Sequence, residues 1–569
     1  MRKVTLIILV AVFMMFGSYL FAEGQGEQAA AAVGGVQYGG TLNMTHGRTM
    51  HVFSSWDNLD YYWDTPVWTA PYLQKLMVGD IETYGPRGDG SHDFHMTEAV
   101  PFSVLTGELA ERWEASADRV VFYLRKGIMW TGSEYARVAP REFVADDVVF
   151  NVRRFMESTI GAEAIWYVKD VYARDRYTVV VEFKEFSWGW VKELGWGDRA
   201  GMYAPETIKA GVHDWKNHFG TGAFMLTDFV QDSYFSFERN PNYWKTVNLD
   251  GQEYKLPFVD KMYWPMIKDY GTLVSALRTG KVDLSVKLPL VYEESLARTS
   301  PQLNKVKFLS GAVMPLWLKS DGSSEPLANR EIRRALTKGT DRNAIITAIN
   351  REGYDHTFPI NPALDAYTPK SELPPEVRTL FDYDPEFAKS VIQKYYPNGL
   401  NLEMTSTLAR AQYDDYSSMI VDQWSKIGVN LTVKMLEAAP YLHVRATRDY
   451  KDVYMRGTGN TMFPLHYASG YTGHAQNMSN YSNPEFDRLY KLGETSPDVN
   501  DFNRYMKEAI VLYLGDAAAI NMGTPMQVNY WWPWVKNYYG EHETGYIYYT
   551  PIVERIYIDP VVKRNLGFR

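Results

Sequence analysis

The period of the hydrophobic pattern switches repeatedly along this chain between two residues and about 3.6, and that alternation constrains the fold more than any other feature. Residues 120–126 alternate, with Val120, Phe122 and Leu124 on one face after a Ser116-Ala117-Asp118 turn. Val144, Val148, Val152 and Phe155 then recur at three- and four-residue spacing. Asp146 and Asp147 stand in the first turn of that segment and Arg153 and Arg154 near its end, the order that complements a helix dipole. A strand period returns over 177–183. Strand, helix and strand in succession predict an α/β lobe.

The same switching continues downstream. Leu273, Val274 and Leu277 form a helical face that stops at Gly280, and a strand resumes at Val282-Asp283-Leu284. Asp384-Pro385 reads as a helix start, with Asp capping the free amides and Pro in the first helical position, ahead of Phe387, Ala388, Val391 and Ile392. Ile427-Gly428-Val429 ends one helix at a glycine and opens a strand over 430–436. No stretch repeats at a fixed period, which excludes a solenoid. A single core stops growing near ~250–300 residues, so 569 residues predict more than one lobe.

Arg2 and Lys3 precede an apolar run to Ala22, and a polar, small-residue stretch follows. This is the order of a secretory signal peptide over 1–22. A retained anchor is the alternative, because the run is nearly long enough to span a bilayer and Leu20 is large for the −3 position of a cut after Ala22. Residues 23–40 read as a flexible linker. The chain has no cysteine, which excludes disulfides, thiolate metal sites, cysteine nucleophiles and a lipid-modified cysteine anchor. Removing 1–22 takes away two basic residues and no acid, so the net charge moves from −9 to −11. That sign argues against nucleic acid as a partner.

Several segments resemble the large solute-binding proteins of ABC importers, solute-binding protein family 5, the oligopeptide/dipeptide-binding group. Leu109-Ala110-Glu111-Arg112-Trp113 with Phe122-Tyr123-Leu124-Arg125-Lys126-Gly127 is similar to that family's "LAE-x-W … F-x-LRKG" hairpin. Residues 143–150 resemble its "T-A-x-DV-x-F" helix start. Gly220-Thr221-Gly222-Ala223-Phe224 with Arg239-Asn240-Pro241-Asn242-Tyr243-Trp244 looks like its "GTGPY … RNPxYW" pair. Further matches follow in order at Gly280-Lys281-Val282-Asp283, at Arg333-Arg334-Ala335-Leu336 with Asp341-Arg342, at Gly428-Val429, and over 480–487. The glycines and Asn240-Pro241-Asn242 are read as scaffold, where a side chain would clash or the backbone must turn.

The resemblance implies an α/β, two-lobed periplasmic-binding-protein type II fold (cluster C-like), with an extra domain over 76–218 inside an N-terminal lobe of 41–309. It implies a second lobe over 310–524 and a return to the first over 525–569. The expected function is that of a periplasmic, monomeric binding protein. It would capture an oligopeptide, or alternatively an oligosaccharide of cello or manno type, between the lobes and hand it to an ABC permease and ATPase complex in the inner membrane.

In peptide-binding members an aspartate of a "W-x-x-D-Y-x-D-P" segment holds the ligand's ammonium group. The corresponding stretch here, 454–464, has Asn460 as the nearest occupant. Trp56, Trp63 and Trp68, beside Asp57, Tyr61 and Tyr62, follow the first strand and offer flat faces for sugar rings; packing between lobes is the other reading. Trp317 carries the same two readings. No enzyme is expected: the chain has no GxSxG elbow, no HExxH and no Walker loop, which leaves an exported glycoside hydrolase only the unassigned carboxylates. Neither a cofactor nor a metal is expected. A nickel-complex binder would have only His92 with His95, and His213 with His218, as close pairs.

Overall fold

The computed structural model describes residues 35–45, 53–60, 64–96, 100–410 and 412–568. Everything below lies in the unit Tyr38–Arg569; the expected signal peptide and most of the linker lie outside the described residues.

The strand Thr41–Thr45 alternates, with Leu42 and Met44 turned into the core, and it becomes the centre of a large sheet. Both of its neighbours run parallel to it: Lys261–Pro265, with Met262 opposite Leu42, and Leu284–Pro289, with Leu284 opposite Met44. Tyr234–Arg239 and then Phe224–Val230 extend the sheet on one side, and Thr524–Trp531 and then Asn304–Leu309 extend it on the other, all antiparallel. The helix Tyr270–Arg278 starts where the Asp269 carboxylate accepts a hydrogen bond from Thr272 N. Gly280 follows with φ +65°, and a Cβ there would stand 2.5 Å from the Phe568 ring, so a glycine is required twice over.

A second sheet has the order Val429–Leu436, Leu400–Thr407, Val453–Met455, Pro315–Leu318, Ala519–Asn521. Its first three strands are parallel. Parallel neighbours need a crossover, supplied by the helix Gln412–Lys426 between Leu400–Thr407 and Val429–Leu436. Gly428, at φ +85°, turns the chain from that helix into the strand. The helix Pro385–Tyr395 begins at an Asp384 cap bonded to Phe387 N, and buries Ala388 and Ile392. The core beneath includes Trp317, Leu336, Ile420 and Trp424, and the Trp424 indole donates to Thr340 Oγ1 at 3.0 Å.

A third, antiparallel sheet joins Ala110–Ser116, Arg119–Leu124, Thr178–Phe183 and Val168–Asp175. The helix Ala145–Glu157 lays Val148, Val152 and Phe155 on it. Asp147 accepts from Val144 N, the Trp130 indole and Arg141, so one carboxylate closes the first turn and ties the neighbouring hairpin to it.

The chain passes between the two larger sheets from Leu309 to Pro315 and from Asn521 to Thr524, and between these Gly353–Tyr354 returns to pair with Thr524 and Pro525 as an eighth strand of the first sheet. The two passages bond to each other, Ser310 N to Pro525 O and Met522 N to Met314 O. After Trp531 the chain laces back along the first sheet: Thr544 O accepts from Gly79 N, Tyr549 OH donates to Val67 O and Thr550 Oγ1 to Ala70 O. Gly220 and Gly222 press on the backbone of 71–72, where a Cβ on Gly220 would lie 1.7 Å from Tyr72 O. No helix among the described residues is long and apolar enough to cross a membrane.

Candidate ligand-binding cleft

Strand polarity locates the cleft. In open sheets with parallel strands, ligands bind beyond the C-terminal ends of those strands, where loops converge and backbone groups are unpaired. In the first sheet these ends are Thr45, Pro265 and Pro289, and Pro289 lies opposite Gln527 near the passage to the second sheet. In the second sheet they are Thr407, Leu436 and Met455, and Met455 lies opposite Leu316, one residue past the end of the other passage. Both sets of ends therefore open toward the crossing segments.

Trp56, Trp68 and Trp317 sit away from any open face. Trp56 and Trp68 are 3% and 1% exposed, and with Phe53, Phe229 and Phe235 they form one packed cluster in which Trp68 and Phe235 stack 6.0 Å apart. The Trp68 indole donates to Ser55 O, and Tyr203 OH donates to Trp56 O. Asp57 is ion-paired with Arg154. Trp317 is fully buried, edge-on to Phe358, with its indole bonded to Arg456 O at 3.0 Å. Trp63, with Tyr61 and Tyr62, lies outside the described residues.

Asn460 is also buried, and its bonds stay within the protein: its side-chain amide donates to Thr357 O at 2.6 Å, its N–H to Gly311 O, and its carbonyl accepts from Asn361 N. It ties the 357–361 loop to the first passage. The histidine pairs are engaged separately. His95 Nδ1 lies 3.2 Å from Asp93, and His218 bridges Tyr72 OH and Val212 O, where burial lowers its pKa to about 4. Asp57, Asp60 and His213 come within 4.8 Å of one another, but Asp57 already faces Arg154.

The residue that sequence reasoning misses is Arg456. It follows Val453–Met455 at the strand end facing the crossing, and its N–H reaches Pro315 O at 3.4 Å. It is 9% exposed, and its Nη1 has no hydrogen-bond partner. Burial, then repulsion from Arg445, lowers its pKa to about 10, so it stays charged at neutral pH. The visible signal is a charged side chain continuing an apolar strand. Its missing counter-ion is invisible in the sequence.

The third sheet's domain also touches the second lobe. Trp188 lies 5.8 Å from Phe463 and 5.9 Å from Phe502, and its indole donates to Ser496 O at 2.8 Å. Beside it, Ser187 Oγ donates to the buried Glu494, whose pKa burial raises to about 7. Lys491 and Glu185 pair at the rim at 2.7 Å.

Two α/β sheets joined by paired crossing segments, with parallel strand ends opening on the joint, define the class of two-lobed solute-binding proteins. The chain belongs to the bacterial extracellular solute-binding proteins, family 5, whose middle-region model matches residues 104–480. It is thus a solute-binding protein of the ABC-transporter type and not an enzyme. It is 24% identical to the dipeptide-binding protein of Escherichia coli over 77% of this chain and 85% of that one. It is 26% identical to heme-binding protein A of Haemophilus influenzae over 67% and 72%. Among solved structures, the periplasmic binding protein DppA from Helicobacter pylori, in complex with the peptide STSA, superposes with a TM-score of 0.70 at 20% identity, covering 92% of this chain and 98% of that one.

Proposed function

We propose that this protein is exported, captures an oligopeptide-type solute between its two lobes, closes about the paired passages 309–315 and 521–524, and presents the closed form to a membrane permease and its ATPase. The observation that carries this reading is the convergence of both sets of parallel strand ends on a joint of two short crossing segments. A ligand touching both lobes binds the closed form better than the open one, and that difference alone shifts the population. The names of the relatives, dipeptide-binding and peptide-complexed proteins among them, support a peptide class. An oligosaccharide is the alternative ligand. Trp56, Trp68 and Trp317 lend it no exposed ring face.

A thermal-shift panel of random di- to pentapeptides, hemin, and cello-, manno- and xylo-oligosaccharides tests the reading. A ligand present at a hundred times its Kd stabilises the folded state by about 2.7 kcal/mol. Peptides are expected to raise the melting temperature; stabilisation by the oligosaccharides or hemin and not by peptides sinks the peptide class.

A further inference from the structure

We infer that the solute carries an anionic group, a carboxylate in the simplest case, and that Arg456 is the residue that receives it. The inference rests on the interlobe cleft described above and narrows what enters it.

The observation is a buried cation without a counter-ion. Other buried guanidinium groups each reach at least one acceptor: Arg333 donates to Asp516 O, Leu327 O and Ala328 O, Arg555 to Glu554 and Pro551 O, and Arg342 to Leu380 O although its Nε has no partner. Arg456 forms no side-chain hydrogen bond or ion pair with any described residue, although it is buried to a similar degree. Its electrostatic neighbours are another cation, Arg445 on the helix Ala438–Thr447, and three tyrosines, Tyr413, Tyr441 and Tyr454. Those hydroxyls are turned to the backbone: Tyr413 OH accepts from Gly457 N, Tyr441 OH donates to Met455 O, and Tyr454 OH donates to Tyr441 O.

A cation largely withdrawn from water with no partner costs free energy, and a counter-ion that arrives with the solute would offset that cost. Guanidinium is the side chain suited to that arrival, because its planar fork matches a carboxylate bidentately. Arg456 ends the strand that opens on the lobe joint and donates its N–H to Pro315 of one passage, so an anion bound there would sit where closure is decided.

The test uses the full chain with Arg456→Gln, Arg456→Met and Arg456→Lys. Replacing an unpartnered buried cation with a neutral side chain of similar size is expected to raise the melting temperature of the ligand-free protein, whereas a structural arginine would lower it. Binding is then read by native mass spectrometry against a random tetrapeptide pool with free C-termini, the same pool amidated, a uronic-acid oligosaccharide and its methyl ester. The wild type is expected to prefer the acid forms by at least ~30-fold, the cost of removing one partner of a buried charge pair. The Gln and Met variants should lose that preference and the Lys variant should keep part of it. Preference for the free-acid peptides supports both this inference and the peptide reading. Preference for the uronate alone, dependent on Arg456, supports the anion site and removes the peptide reading. No acid preference in the wild type, or one that persists in the Gln and Met variants, overturns the inference, and binding of the amidated pool would still leave the peptide reading intact.

Discussion

The domain built on the third sheet makes two interfaces, and they are made of different things. Against the first lobe it is welded by buried charge. Lys245 bridges Glu108 at 3.0 Å and Glu554 at 3.3 Å, Gln74 donates to Glu108, and Tyr243 OH donates to Glu554. Lys75 donates to Trp196 O and Tyr546 O, and burial lowers its pKa to about 7. Against the second lobe it offers Trp188, Ser187 bonded to that lobe's Glu494, whose carboxyl holds its proton near neutrality, Ser103 bonded to Asp365, and a rim pair. Separating the first interface would strand several charges in an apolar setting, while separating the second re-solvates one indole and the carboxyls of Glu494 and Asp365. On the proposed closure, the second is the contact expected to open and close with the cleft, and the first is expected to keep the domain with its lobe.

That contrast is open to attack at several points. The largest effect is expected from Lys245→Met, which leaves the buried Glu108 without a cation while Glu554 keeps Arg555. A loss of about 3–5 kcal/mol in guanidinium denaturation is expected; a loss under about 1 kcal/mol would show that the weld is not electrostatic. Trp188→Ala comes next. It should leave the fold intact and shift the open–closed balance by about 2–3 kcal/mol toward open, by loss of a buried aromatic contact. Small-angle scattering of the ligand-free protein would report a larger radius of gyration, and an unchanged profile would mean that Trp188 is not part of the closing contact.

Glu494 gives the smallest effect and the sharpest sign. Its carboxyl is held near 7 when docked and returns to about 4.3 when exposed, so the docked state binds its proton more tightly. The stabilisation is fully present below about pH 4.3 and is lost as pH rises through about 7. An interlobe fluorescence pair should report a closed fraction that falls between about pH 5 and pH 8, by roughly 1–3 kcal/mol in equilibrium terms. Glu494→Gln should flatten that curve; a slope that persists assigns the titration to another group.

Much of the scaffold is legible in the order of residues alone. The Asp384-Pro385 start, the Gly280 and Gly428 stops and the acidic first turn of Ala145–Glu157 all appear where the sequence places them. Asp147 shows the limit of that legibility: its place in the first turn is readable, its bonds to Trp130 and Arg141 are not. The cleft is less readable still. Trp56 and Trp68 look the same in sequence whether they face a sugar or Phe235, because an aromatic side chain serves a core and a wet surface equally well. Asn460 stands in sequence nearest an ammonium-binding position, and in the fold its amide holds Thr357 O.

The elements and the family resemblance can be read from residue order, because periods, caps and glycine stops depend on residues within a turn or two of one another. It took the folded arrangement to show that Thr41–Thr45 is flanked by strands from beyond residue 260, that residues after 540 bond back to 67–79, and that Arg456 meets no carboxylate among the described residues. Those facts depend on partners hundreds of positions apart, whose pairing is set by the packing of whole layers. A missing partner is a property of a neighbourhood, and a neighbourhood exists only once the chain has folded.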